Sequence, residues 1–310
     1  MTRATARRRV VRLRGAERSP RPDALAAEEP LEIRIGGEAL TVTMRTPGDD
    51  FDLVAGFLVG EGLLHRRDQL AALRYCAGTD ADGQNTYNVV DATLRGADSL
   101  PLSAHRNLLT TSACGLCGRD TVDAVRTHVR FKPADDPLTV RPELLYRLPD
   151  ALRAAQRTFD STGGLHAAGL FTAAGELLCA REDVGRHNAV DKVIGWALRE
   201  DRLPLTGHLL LVSGRASFEL TQKAALAGLP LLAAVSAPSS LAADLAEELG
   251  LTLVGFLRGE SANVYTRADR ITGDGGAAEQ ISTEQISADR ITADRITADS
   301  SAKSTIDHRT

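Results

Sequence analysis

The sequence predicts an α/β fold: a mixed sheet covered by helices, preceded by a smaller strand-rich part. Two observations carry this. Residues 209–256 alternate short apolar runs with helical stripes, which is the mark of a parallel or mixed α/β layer. Residues 31–45 instead alternate apolar and polar side chains at period two, which is the mark of a half-buried hairpin.

In chain order, Leu31, Ile33 and Ile35 oppose Glu32 and Arg34. After Gly36-Gly37, Leu40, Val42 and Met44 oppose Thr41, Thr43 and Arg45, so a hairpin is expected, with each strand's apolar set on one face. Asp49 and Asp50 then open a helix carrying Leu53, Val54, Phe57 and Leu58; acids there suit the helix macrodipole better than a catalytic pair. Strands are expected near 74–76 and 86–94. A further hairpin (167–171, 177–180) leads into a helix with Val190, Val193, Ile194 and Ala197 on one stripe. Strands at 209–212, 231–235 and 251–256 follow, with helices from about Phe218 to Ala227 and Leu241 to Leu249 between them. Ligands in such sheets sit beyond the strand C-termini. Those ends are Ser213-Gly214-Arg215, Ser236 to Ser239, and Leu257 to Ser261.

Composition bounds the rest. The 310 residues are 43% hydrophobic and 25% charged with a net charge of -4, so a core is affordable and bulk charge does not attract polyanions. No apolar run approaches the roughly 18 residues that span a bilayer. Four cysteines are too few for a disulfide scaffold, which fits a reducing cytoplasm. The first 22 residues hold eight Arg and one acid, Glu17, with no apolar stretch behind them. Such an arm can contact nucleic acid or an acidic partner. Because 33 of the 37 cations are Arg, a local cluster says little, and residues 1–27 are expected to be a disordered basic arm. Ile281, Ile286, Ile291 and Ile296 recur every five residues, a period of neither helix nor strand, so 267–310 is expected to be a low-complexity tail. Between them, 28–130 forms the strand-rich part and 131–266 the α/β part.

The sharpest motif is Thr111-Ser112-Ala113-Cys114-Gly115-Leu116-Cys117-Gly118, with Arg119 next to it. A thiolate near a helix start or a cation is a strong nucleophile. A zinc site is disfavoured: there is no second Cys-x-x-Cys, and the His-x-Glu that zinc nucleobase deaminases need is absent. A dithiol oxidoreductase is open, although it does not explain the large α/β half. Sulfur carriage as a persulfide explains both halves, one holding the reactive sulfur and the other its acceptor. The second cluster, Arg181 to Lys192, places His187 and Asp191 one helical turn apart. His187 is a candidate proton donor or ligand contact, and Arg186 or Lys192 a candidate anion contact. A salt-bridged first helical turn is the alternative. Ser213-Gly214-Arg215, before a helix, suits a phosphate.

Together, residues 28–34, 44–50, 111–118, 181–192, 213–219 and 255–266 resemble the formate dehydrogenase accessory sulfurtransferase family, FdhD, over about 28–266. The resemblance implies a cytidine-deaminase-like mixed sheet without zinc chemistry. It implies a cytoplasmic, homodimeric sulfur carrier that takes sulfur from a cysteine desulfurase. The acceptor would be the molybdenum bis(molybdopterin guanine dinucleotide) cofactor, before its insertion into formate dehydrogenase; neither nucleic acid nor a membrane is implied as partner. Cys114 matches the persulfide-bearing cysteine and Cys117 its partner. The cofactor contacts match Phe256, Leu257, Arg258, Gly259, Glu260 and Ser261, to which the residue reading adds Arg215 and His187. No resident metal is implied. A non-enzymatic cofactor chaperone remains the further alternative.

Overall fold

Two sheets with helices between them carry the fold. The computed structural model describes residues 4–76, 86–95 and 128–273. The smaller sheet has the order β4-β3-β6-β5, with β3 Glu29–Ile35, β4 Glu38–Arg45, β5 Leu70–Tyr75 and β6 Val89–Leu94. The larger has the order β12-β11-β10-β9-β7-β8. Its strands are β7 His166–Thr172, β8 Leu177–Asp183, β9 His208–Val212, β10 Leu231–Ala234, β11 Thr252–Arg258 and β12 Ser261–Thr266. β9, β10 and β11 are parallel, and the outer pairings antiparallel. The mixed α/β architecture with a smaller strand-rich part is therefore as expected.

Strand periodicity builds the layers. Leu209, Leu211, Leu231 and Ala233 face a core closed by helix α2 (Pro142–Ala155) through Leu145, Leu148 and Leu152. A short α3 (Arg157–Thr162) follows it. The alternate residues, Leu210, Val212, Leu232 and Ala234, face the larger core. That core also takes in α1 (Asp50–Gly60), α4 (Arg186–Arg199) and α5 (Phe218–Leu226), together with Leu31, Ile33 and Val90 of the small sheet. Helix α6 (Ser240–Leu249) adds Ala242 and Ala246. One core thus crosses the boundary expected at residue 130, and the described residues up to Thr272 form one unit.

Three expectations are corrected. First, the basic arm is not disordered: β1 (Thr5–Arg14) and β2 (Glu17–Ala26) pair in register over ten residues each, because Gly15 turns the chain and the β-branched Val10 and Val11 favour extended backbone. Second, the ordered chain runs past 267. Arg270 is 2% exposed and donates to the carbonyls of Pro230 (3.2 Å), Gly250 (2.9 Å) and Asp136 (3.1 Å), while Ile271 bridges Val140. The isoleucine repeat lies outside the described residues. Third, β4 does not bury its apolar set. The register pairs Arg34 with Ala39 but Ile33 with Thr41, so one extra residue at Leu40 reverses the faces, leaving Val42 61% exposed.

Candidate functional site

The chain's chemistry gathers where β8 to β11 end. Pairing continues past the strands: Ser236 N–H donates to Gly214 O (3.3 Å), Ser239 N–H to Ala216 O (3.0 Å) and Phe256 N–H to Ser236 O (3.1 Å). A parallel bridge joins Ala216 to Pro238. These bonds align the three strand-end segments picked from sequence along one edge. Three helices start there, α4 after Gly185, α5 after Ser217 and α6 after Ser239, whose hydroxyl accepts from Ala242 N–H. Their unpaired N–H groups and dipoles make this edge favourable to anions.

The segment expected to contact a cofactor is the tip of the β11–β12 hairpin rather than a free loop. Phe256 has φ 52° at an irregularity between Gly255 and Arg258. This extra residue lets Val254 and Leu257, three apart, both reach the α2-side core. Leu257 is fully buried, so its side chain serves packing and is withdrawn from the contact set. Phe256 is half-buried with the Arg258 guanidinium 5.9 Å from its ring centroid; Arg258, Gly259, Glu260 and Ser261 are exposed. Arg215 is exposed beside α5. Neither Arg215 nor Arg258 forms an ion pair among the described residues, leaving two cations free for a ligand.

His187 sits at the same edge, but not with the partner that spacing suggested. Its Nε2 lies 3.3 Å from Ser217 Oγ and 3.7 Å from Glu219 Oε2, linking the starts of α4 and α5. Asp191 instead accepts from Lys223 Nζ (2.7 Å) inside the core. Lys192, the candidate anion contact, is buried and pairs with Asp183 (2.7 Å), so it cannot reach a ligand. Asp183, at the end of β8, also accepts from Thr46 N–H (3.1 Å), Gly185 N–H (2.9 Å) and Asn188 Nδ2 (3.0 Å). It pins the α4 start to the small sheet. His166 lies opposite Asp183 in the β7–β8 register, against Gly214; burial, then Arg186 and His187, lowers its pKa.

Glu219 was missed as a site residue because an acid in a first helical turn looks like routine dipole complementation. Hydrogen bonding from His187, more than from Ser217 and its own backbone, outweighs burial and holds its carboxyl at about 2. A depressed carboxyl stabilises the fold above its unfolded value, and that contribution is lost as pH falls through the folded one. The stability gap between the wild type and Glu219→Gln is thus expected to be widest at pH 5 and to close towards pH 2. Chemical denaturation across that range checks it, and a constant gap would refute the linkage.

Cys114 and Cys117 lie outside the described residues. Cys179 is buried, and desolvation pushes its thiol up to about 12, so it is no nucleophile at neutral pH. It borders a groove of about 600 Å³ along β8, on the far side of β7 from the β9 to β11 strand ends.

Comparison with known proteins gives the family and the fold. The model of the FdhD/NarQ family matches residues 26–272. A sulfur carrier protein FdhD of Streptomyces coelicolor is 62% identical over 273 residues, covering 87% of this chain and 97% of its own. That of Mycolicibacterium paratuberculosis is 60% identical over 268 residues, covering 86% and 98%. A crystal structure described as a formate dehydrogenase accessory protein from Desulfotalea psychrophila aligns with a TM-score of 0.68 at 24% identity. It covers 87% of this chain and 100% of that one, a likeness of fold.

Proposed function

Because the chain belongs to the FdhD/NarQ family, we propose that it is a sulfur carrier acting in formate dehydrogenase maturation. It takes sulfur from a cysteine desulfurase onto Cys114 and passes it to the molybdenum bis(molybdopterin guanine dinucleotide) cofactor before that cofactor enters the enzyme. The observation that carries this reading is the identity to sulfur carrier proteins over nearly nine-tenths of the chain. In the first step the Cys114 thiolate attacks the outer sulfur of the desulfurase persulfide, the S–S bond breaks, and the desulfurase cysteine leaves as a thiolate. Cys117, three residues on, is the second thiol available to release that sulfur by exchange. We extend the reading to a cytoplasmic homodimer; light scattering of the purified protein tests the dimer.

The acceptor carries two pyrophosphates and two guanines, so it calls for cations and N–H groups more than for a large apolar pocket. The strand-end edge supports this with Arg215, Arg258, three helix starts and the Phe256 ring. His187 is held through Nε2 by Ser217 and Glu219, and no described residue takes its Nδ1, which leaves that nitrogen for a ligand. Docking the acceptor beside the loaded thiol makes transfer effectively intramolecular and keeps the persulfide from stray thiols. Removing one charge-assisted contact costs about 1.5–3 kcal/mol. Arg258→Ala is therefore expected to weaken binding of guanosine diphosphate about tenfold or more by calorimetry, with an unchanged fold; equal affinity would move the site elsewhere.

A further inference from the structure

The β1–β2 hairpin is explained neither by the core nor by the sulfur chemistry. β2 lies against α3, while β1 is the outer strand of a two-stranded sheet. Its five arginines, Arg7, Arg8, Arg9, Arg12 and Arg14, are unaccompanied by any acid on the strand. The register sets Arg9 opposite Pro22 and Val11 opposite Pro20. Proline has no N–H to give, so these are pairs whose backbone groups point away from the partner strand. Two consequences follow. The outer edge of β2 is blunted by its prolines, as protected edges are. The outer edge of β1 is not: by the same alternation Arg7, Arg9, Val11 and Leu13 all present N–H and C=O groups outward, and β1 contains no proline.

The side chains of those four residues share one face, opposite Ala24, Pro22, Pro20 and Arg18, and no acid stands on it. Val11 is 56% and Leu13 66% exposed. The β1 half of that face is cationic at Arg7 and Arg9 and aliphatic at Val11 and Leu13, beside a row of backbone donors and acceptors that no described residue uses. Phosphates or lipid headgroups would answer the arginines but leave the backbone row and the aliphatic half unanswered. A polypeptide strand answers all three.

We propose that β1 is a docking edge for an extended acidic segment of a partner protein, which adds as a third strand. The segment sets carboxylates against Arg7 and Arg9, and apolar side chains at alternate positions against Val11 and Leu13. This inference is independent of the sulfur-transfer reading, and persulfide loading in the variants below reports on that reading separately.

Val11→Pro tests it on the full-length protein, because it removes an outward N–H and leaves the β1–β2 ladder its bonds. The probe is a fluorescein-labelled nine-residue peptide with two apolar and two acidic residues at alternate positions, separated by threonine. Anisotropy is read at about 50 and 200 mM salt, since a charge-assisted contact weakens as screening increases. Binding to the wild type is expected to fall at least about tenfold for Val11→Pro, for the double variant Arg7→Glu/Arg9→Glu, and for a scrambled peptide of equal composition. The charge variant keeps the test valid should the proline disturb the hairpin, which circular dichroism monitors. Equal binding by either folded variant, no binding by the wild type, or tighter binding of duplex DNA or of phosphatidylserine vesicles at the same salt would overturn the proposal.

Discussion

Cys114→Ala is expected to abolish sulfur loading while leaving the protein folded. After incubation with a desulfurase and cysteine, the wild type should carry an adduct of about 32 Da, one sulfur atom, on the peptide containing Cys114. The variant should carry none, and formate dehydrogenase matured with it should lose at least about 100-fold in activity, because the thiolate that forms the covalent bond to sulfur is gone. Cys179 is the informative control. Its burial keeps it a thiol at neutral pH, so Cys179→Ala should load sulfur like the wild type. An adduct that persists in Cys114→Ala, or one that disappears in Cys179→Ala, would move the carrier site.

Gly56→Ala is expected, like Gly195→Ala, to be among the most destabilising single-methyl changes of the described residues. Helices α1 and α4 cross backbone to backbone: a β-carbon at Gly56 would lie 1.8 Å from the Asp191 carbonyl oxygen, and one at Gly195 would lie 1.8 Å from that of Asp52. Neither obstacle is a flexible side chain. The helices would have to separate, opening the core that joins the two sheets and displacing the α4 start from the site edge. Overpacking that side chains can absorb costs about 1–3 kcal/mol. Here about 4 kcal/mol or more is expected, a large share of the roughly 5–15 kcal/mol that holds a domain together. Urea denaturation measures it, and a loss under about 1 kcal/mol would show that the crossing has slack.

Most elements were legible because burial leaves a period. The strands at 209–212 and 231–234 and the helices after them appear within a residue or two of where their apolar patterns place them. Helix α2 gave a weaker signal, since Pro149 interrupts the stripe of Leu145, Leu148 and Leu152. The reversed face of β4 was not legible, because a bulge at Leu40 leaves the amino-acid pattern intact while changing what each residue meets. In the site, the strand-end segments could be read from topology rules, whereas the partners of charged residues could not. His187 with Glu219 and Asp191 with Lys223 join positions 32 residues apart, whereas helical spacing had suggested His187 with Asp191.

The sequence by itself determined the order of the elements from β3 to β6 and from β7 to β11, the mixed α/β class, the family and the thiol pair proposed to carry sulfur. All of these are local patterns or motifs, fixed by neighbours along the chain. Only the tertiary structure decided that Lys192 is locked to Asp183, that Leu257 belongs to the core, that His187 is held by Glu219, and that the arginine-rich arm is a hairpin with one open edge. Those outcomes depend on which distant groups exclude water from one another, and desolvation is a property of packing that no stretch of sequence carries alone.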